Sequence, residues 1–239
     1  MRTQVLEVYL CPSDQYPGNR GQATGQSYAA NSGTSRVYQN WASNGITYNP
    51  GWDWAFARPV GVRDVVDGTT NTAMFSEWIK GPAIGTQGPG ATLDGRDARA
   101  VVWGPVDYAW GYPGGINAAL LAGDPGDRAF DQECNGERND FGSSSPNQIN
   151  WLWKGEYWTW ANVGRGSGIG FTFRPNGRSC SEGWTPTDHG MAASSFHPGG
   201  VNVLFCDGTV RFISDSIEYK VWHALGTRYG RETIDAGQL

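Results

Sequence analysis

Two short apolar runs, residues 201–206 and 209–213, are separated by the pair Asp207-Gly208. Both runs are rich in β-branched and aromatic side chains, which suit a pleated, half-buried surface. An Asp-Gly pair between such runs is among the strongest local hairpin signals, because a type I′ turn needs positive φ at both central positions. The spacing therefore predicts an antiparallel pair with a two-residue turn. Gly199-Gly200 lets the chain bend sharply into the first strand.

The composition agrees with a mostly β chain. There are 35 Gly and 13 Pro among 239 residues, and 12 Trp, 10 Tyr and 9 Phe within a modest 38% hydrophobic fraction. Rings fill a core while glycines shape turns, so long ordered loops around a sheet are expected. The length suits one large domain, residues 1–239, with a loop-rich insertion around 104–150. Charged residues make up 17% and the net charge is −5, which argues against a nucleic-acid partner. No apolar run reaches the roughly 18 residues of a membrane span, and the charged opening residues 1–9 are too short for a signal-peptide core.

Several short motifs, in order, resemble the H-x9-DG domain family of secreted bacterial proteins. His197 followed by nine residues and Asp207-Gly208 matches the family's signature spacing. Leu10-Cys11-Pro12-Ser13-Asp14 resembles its CPSD motif, and Ser27-Tyr28-Ala29-Ala30-Asn31-Ser32-Gly33 its YxxNxG segment. Asp67-Gly68-Thr69-Thr70-Asn71-Thr72 resembles DGTSNT, followed by the usual acidic residue at Glu77. Pro175-Asn176 with Cys180 resembles PNxxxC, and residues 222–228 with Glu232 resemble the terminal WxALGTRxGGE, Arg231 standing in place of the second glycine. The resemblance implies a pseudopilin-like α+β fold: an antiparallel sheet, long Gly-rich loops and a C-terminal helix. Full-length members begin with a prepilin-like helix ahead of CPSD, so this chain reads as a member without it.

The coarse elements are strands at residues 5–10, 60–66, 73–79, 98–103 and 171–173, in addition to the hairpin. Within the Trp-dense stretch 151–163, Trp151 and Trp153 share one strand face, as do Trp158 and Trp160. A helix is expected in the tail, with Ser214 as N-cap. Ile217, Val221 and Leu225 form its apolar stripe and Gly226 its stop.

Four candidates for chemistry follow from residue types. His197 and Asp207 suggest a dyad on paper, but a six-residue strand spans roughly 20 Å and holds them apart. They therefore read as structural motif residues, as do Gly208, Asp67, Gly68 and Asn71. Asp131, Asn135 and Asp140 are candidate calcium ligands: residues 131–136 begin like an EF-hand loop, but position 12 is Gly142 instead of Glu. Calcium is the one cofactor entertained, since some secretion pseudopilins resembling this family bind it. Trp151, Trp153, Trp158 and Trp160, with Trp110, are candidates for stacking on sugars or for a subunit interface. The four cysteines, Cys11, Cys134, Cys180 and Cys206, lack CxxC spacing and fit disulfides in an oxidising compartment better than zinc. Cys134–Cys180 is the favoured pair because both lie in polar loops; Cys11 and Cys206 either pair or remain buried thiols.

Nucleophilic catalysis finds no support. Residues 164–168 contain a Gly-x-Ser-x-Gly only in scrambled form, and Ser194-Ser195 beside His197 has no visible carboxylate partner. The glycines of 164–170 do not have phosphate-cradle spacing. The expected role is non-catalytic: an extracellular or cell-surface structural subunit that associates with itself or with other pilin-like subunits. The rival expectation is a secreted carbohydrate- or matrix-binding module.

Overall fold

The structure, a computed structural model, describes residues 4–16, 25–34, 44–47, 58–82, 97–103, 149–151, 154–160, 163–164, 166–181, 189–234 and 237. The central sheet contains β1 (Tyr28–Asn31), β2 (Ala73–Glu77), β5 (Gly168–Ile169), β8 (Gly200–Phe205) and β9 (Val210–Ser214), in the order β5-β1-β2-β8-β9. A smaller sheet has the order β4-β3-β6-β7, from β3 (Val102–Trp103), β4 (Ile149–Trp151), β6 (Ser179–Ser181) and β7 (His189–Gly190). Among the described residues one α-helix occurs, Tyr219–Gly226. The fold class is α+β. The expectation of an antiparallel sheet needs correction, because β5 joins β1, and β6 joins β3, in parallel.

The hairpin forms, with a different turn. Leu204 pairs with Val210, Gly208 N donates to Phe205 O at 3.0 Å, and Phe205 N donates to Thr209 O at 2.8 Å. Gly208 has φ +88°, whereas Asp207 is not among the residues with positive φ. This is a type I turn closed by a glycine bulge, not type I′. The reason is the Asp207 carboxylate, whose Oδ1 accepts from Thr209 N and Thr209 Oγ1, an Asx turn favouring ordinary Asp φ. Cys206 N and Asp207 N donate to Thr72 O and Thr69 O, so the two Asp-Gly turns brace each other.

Several expected strands are something else. Glu7–Tyr9 is a 3-10 turn, as are Val62–Asp64 and Ala98–Ala100. In the second, Asp64 Oδ2 accepts from Gly61 N, and in the third Asp97 Oδ1 accepts from Arg99 N. Short polar side chains thus satisfy local N–H groups that a strand would have shared with a neighbour. Residues 158–160 and 171–173 run as turns and bends. The helix begins five residues after Ser214, whose Oγ instead accepts from Ser216 N; Glu218 occupies the N-cap. Gly226 is the last helical residue, not the residue after it.

The core lies between the central sheet and the helix. Val201, Val203, Phe205 and Ile213 point inward together with Ala29 and Ala73, all at most 1% exposed. Val221 and Leu225 of the helix meet them together with Ile217, which lies just ahead of the helix instead of on it. Trp222 stacks on Phe171 at 4.3 Å between centroids. Trp222 Nε1 donates to Phe173 O, and Trp78 Nε1 to Gln26 O, so each buried indole keeps its hydrogen bond.

Candidate functional site

Among the described residues, the other face of the central sheet brings groups of metal-ligating type together beside an apolar groove. Register alternation along β8 and β9 sends Asn202, Leu204, Val210 and Phe212 to this outer face. On β2 the register shifts between Ala73 and Phe75. That bulge puts Phe75 and Glu77 outside instead of inside, a re-aiming typical of bulges. Tyr28 of β1, opposite Glu77, joins them. Val8, Tyr9 and Trp158 complete the walls of a groove of about 510 Å³ over these strands. Trp158 lies 5.8 Å from Tyr9 and donates from Nε1 to Gln4 O.

At one end of this face three residues distant in sequence converge. His197 Nε2 lies 3.4 Å from Glu77 Oε1 and 3.8 Å from Cys11 Sγ. The three ligand-type atoms all lie within 4.8 Å of one another. The Glu77 side chain is 7% exposed and that of His197 33%.

Each member is held from behind. Asn202 N donates to Glu77 Oε2 at 2.9 Å and Asn202 Nδ2 to Oε1 at 3.1 Å. His197 sits in the turn ahead of β8, where His197 N donates to Ser195 Oγ and Gly199 takes φ +82°. Cys11 opens a tight turn in which Asp14 N donates to Cys11 O. Asp14 is pinned in turn by Lys80 at 3.0 Å, both side chains 3% exposed, and by Ser27 Oγ. Burial pushes the Tyr28 hydroxyl pKa up, and Cys11 and Glu77 add to the shift through their charges and a Cys11 hydrogen bond.

This arrangement is unlike a nucleophilic triad. A triad uses both ring nitrogens, one toward the nucleophile and one toward the carboxylate. Here a single nitrogen, Nε2, faces both sulfur and oxygen. Three donors of mixed hardness gathered within 4.8 Å of one another have a spacing that a metal ion could bridge.

The remaining motif residues are staples. Asp67 accepts from Thr227 Oγ1, Gly230 N and Arg231 N, fixing the tail. Gly68 supplies φ +93°, and Asn71 Nδ2 reaches Asp67 O at 3.4 Å. Asn31 Nδ2 donates to Ala73 O and Gly226 O, tying sheet to helix, and Asn176 Oδ1 accepts from Ser195 N and Arg99. Asp207 remains at the hairpin tip, away from His197, as strand length required.

The carboxylate partner of His197 is what the sequence reading missed: it is Glu77, supplied by a different strand. Cys11 and Cys206 are free thiols, so they do not pair with each other. Cys180 is fully buried in β6, while Cys134 lies outside the described residues and the Cys134–Cys180 pairing with it. Asp131, Asn135, Asp140, Trp110 and Trp153 also lie outside them. Of Trp151 only the backbone is described, in β4. Trp160 packs on Tyr157 at 4.5 Å, and among the candidate rings whose side chains are described it is Trp158 that lines the groove. Among the described residues no helix is long and apolar enough to cross a membrane.

Fold and site together define an α+β domain whose sheet carries an open apolar face with a thiol, an imidazole and a carboxylate at one end. The chain belongs to the family described as Protein of unknown function (DUF1559), which it matches over residues 1–220. No curated protein matches it, and no solved structure does.

Proposed function

We propose that this protein is a non-catalytic structural subunit of an extracellular pilus-like filament or secretion-related surface structure, in keeping with its resemblance to the H-x9-DG proteins. The observation that carries the reading is the outer sheet face. Val210 is 64% and Phe212 50% exposed, next to Phe75 and Met74 at 36% and 37%. They run to β9, which among the described residues is the edge strand, with no neighbouring strand on its outer side. Edge strands are usually blunted by lysine, proline or a bulge. Here the edge carries Arg211, folded over the Phe205 ring at 4.4 Å. An apolar face running to an open edge suits strand addition by another copy or another pilin-like subunit.

The purified chain is expected to assemble into ordered multimers as its concentration rises, followed by light scattering and electron microscopy. Val210→Lys with Phe212→Lys should abolish assembly while leaving circular dichroism unchanged. An unaltered chain that remains strictly monomeric at high concentration would sink the proposal.

One observation favours a second reading, a carbohydrate- or matrix-binding module. Trp158 and Tyr9 flank the groove, and an aromatic pair beside amide and hydroxyl groups can stack a sugar ring. Glycan-array binding lost in Trp158→Ala, with assembly unaffected, would favour that reading over the first.

A further inference from the structure

We infer that Cys11, Glu77 and His197 form a binding site for a divalent transition-metal ion of the zinc class. The spacing is the first argument. A tetrahedral zinc ion has Zn–N and Zn–O bonds of about 2.0–2.1 Å and a Zn–S bond of about 2.3 Å. Those bonds place nitrogen about 3.3 Å from oxygen and about 3.5 Å from sulfur. In this protein His197 Nε2 lies 3.4 Å from Glu77 Oε1 and 3.8 Å from Cys11 Sγ. Cys11 Sγ lies within 4.8 Å of the Glu77 carboxylate, so closing the shell draws the thiol inward toward Glu77 and His197.

The donor chemistry is the second argument. Thiolate and imidazole select zinc-class ions, whereas calcium and magnesium take oxygen ligands. Three protein donors leave a fourth place for water, the composition of an open zinc site. Cys11 binds as the thiolate, so its proton passes to solvent as the metal enters.

The supporting shell is the third. Asn202 holds both Glu77 oxygens through its backbone and side-chain N–H groups. Such outer hydrogen bonds orient ligands and raise affinity. None of this is visible as a sequence motif, because Cys11 and His197 are 186 positions apart. The site is independent of the assembly reading.

The test is titration of the metal-stripped full chain with Co2+ in reducing buffer, followed by displacement with Zn2+. The expected result is one equivalent of Co2+ with a thiolate-to-metal charge-transfer band that Zn2+ removes. Cys11→Ser should abolish the band, and Cys206→Ser should leave it intact. Asn202→Ala should weaken Zn2+ binding about 10–100-fold. If Cys11→Ser fails to fold by circular dichroism, Glu77→Gln, which keeps the shape of the side chain, serves as the second variant and should lose affinity. Absence of the band in the unaltered chain would overturn the inference, as would a band lost in Cys206→Ser or Zn2+ affinity unchanged in Glu77→Gln.

Discussion

The ammonium of Lys154 is buried at 1% exposure, where water cannot hydrate its charge. Nζ donates to Arg99 O at 3.0 Å, with Ala192 O and Ser194 Oγ each at 3.4 Å. Burial pulls its pKa down from 10.5 to about 7, against the opposing attraction of Asp14 and Asp97. Between those two values the unfolded chain holds a proton that the folded chain has released. Stability should therefore rise with pH from about 7 to 10.5, by up to about 1.4 kcal/mol per pH unit. Below pH 7 this contribution is flat, because both states are protonated. Urea denaturation at stepped pH checks the slope, which Lys154→Met should flatten. Asp97 shifts in the same direction for a different reason: burial would raise its pKa, but hydrogen bonds and charge from Arg99 outweigh that and lower it. Its contribution is therefore lost as the pH falls into the acid range. A sequence shows that Lys154 is a lysine; its value depends on the carbonyls folded around it.

At the scale of elements, two glycines that read alike in sequence do different work. Gly208 has φ +88° with open space around a would-be Cβ. Gly208→Ala should cost about 1–2 kcal/mol, from backbone strain alone. Gly226 is helical, and a Cβ there would lie 2.4 Å from Phe171 Cβ. Gly226→Ala should therefore push the helix off its seat, costing about 1–3 kcal/mol or more through overpacking. Chemical denaturation of both variants measures the costs, and a near-ultraviolet dichroism change from the Trp222–Phe171 stack should accompany only the second. The hairpin and the helix stripe were legible in sequence because their periods are local. The turn type was not, since the Asp207 carboxylate and the Thr69 and Thr72 carbonyls chose it. Residues 60–66 are not a strand for a related reason: apolar alternation is only permissive, and the Asp64 carboxylate closes a 3-10 turn on Gly61 N first. At residues 5–10, backbone bonds from Tyr9 N to Leu6 O and Leu10 N to Glu7 O close the turn.

Across the whole molecule, the Cys134–Cys180 disulfide remains part of the proposed extracellular reading. Cys180 is fully buried, and Cys11 and Cys206 are free. Peptide mapping without reduction should recover a cross-linked Cys134–Cys180 peptide and two alkylatable thiols. Recovery of four free thiols from oxidised, secreted material would overturn the pairing. Cys206 should alkylate slowly near neutral pH, because burial and then Asp207 raise its pKa.

The sequence alone determined the hairpin, the apolar positions of the helix and the ordered motifs that resemble those of the H-x9-DG proteins. Each depends on residues within a few positions of one another, where propensity and period act directly. It also separated His197 from Asp207 by strand length. Only the tertiary structure decided that His197 meets Glu77 and Cys11. The antiparallel pairing of β2 with β8 brings Glu77 beside Asn202, and the bulge at Met74 turns its carboxylate to the outer face. The turn opened by Cys11, pinned through Asp14 and Lys80, delivers the thiol to the same point. Such convergence is fixed by register and packing among distant segments, which no local pattern encodes.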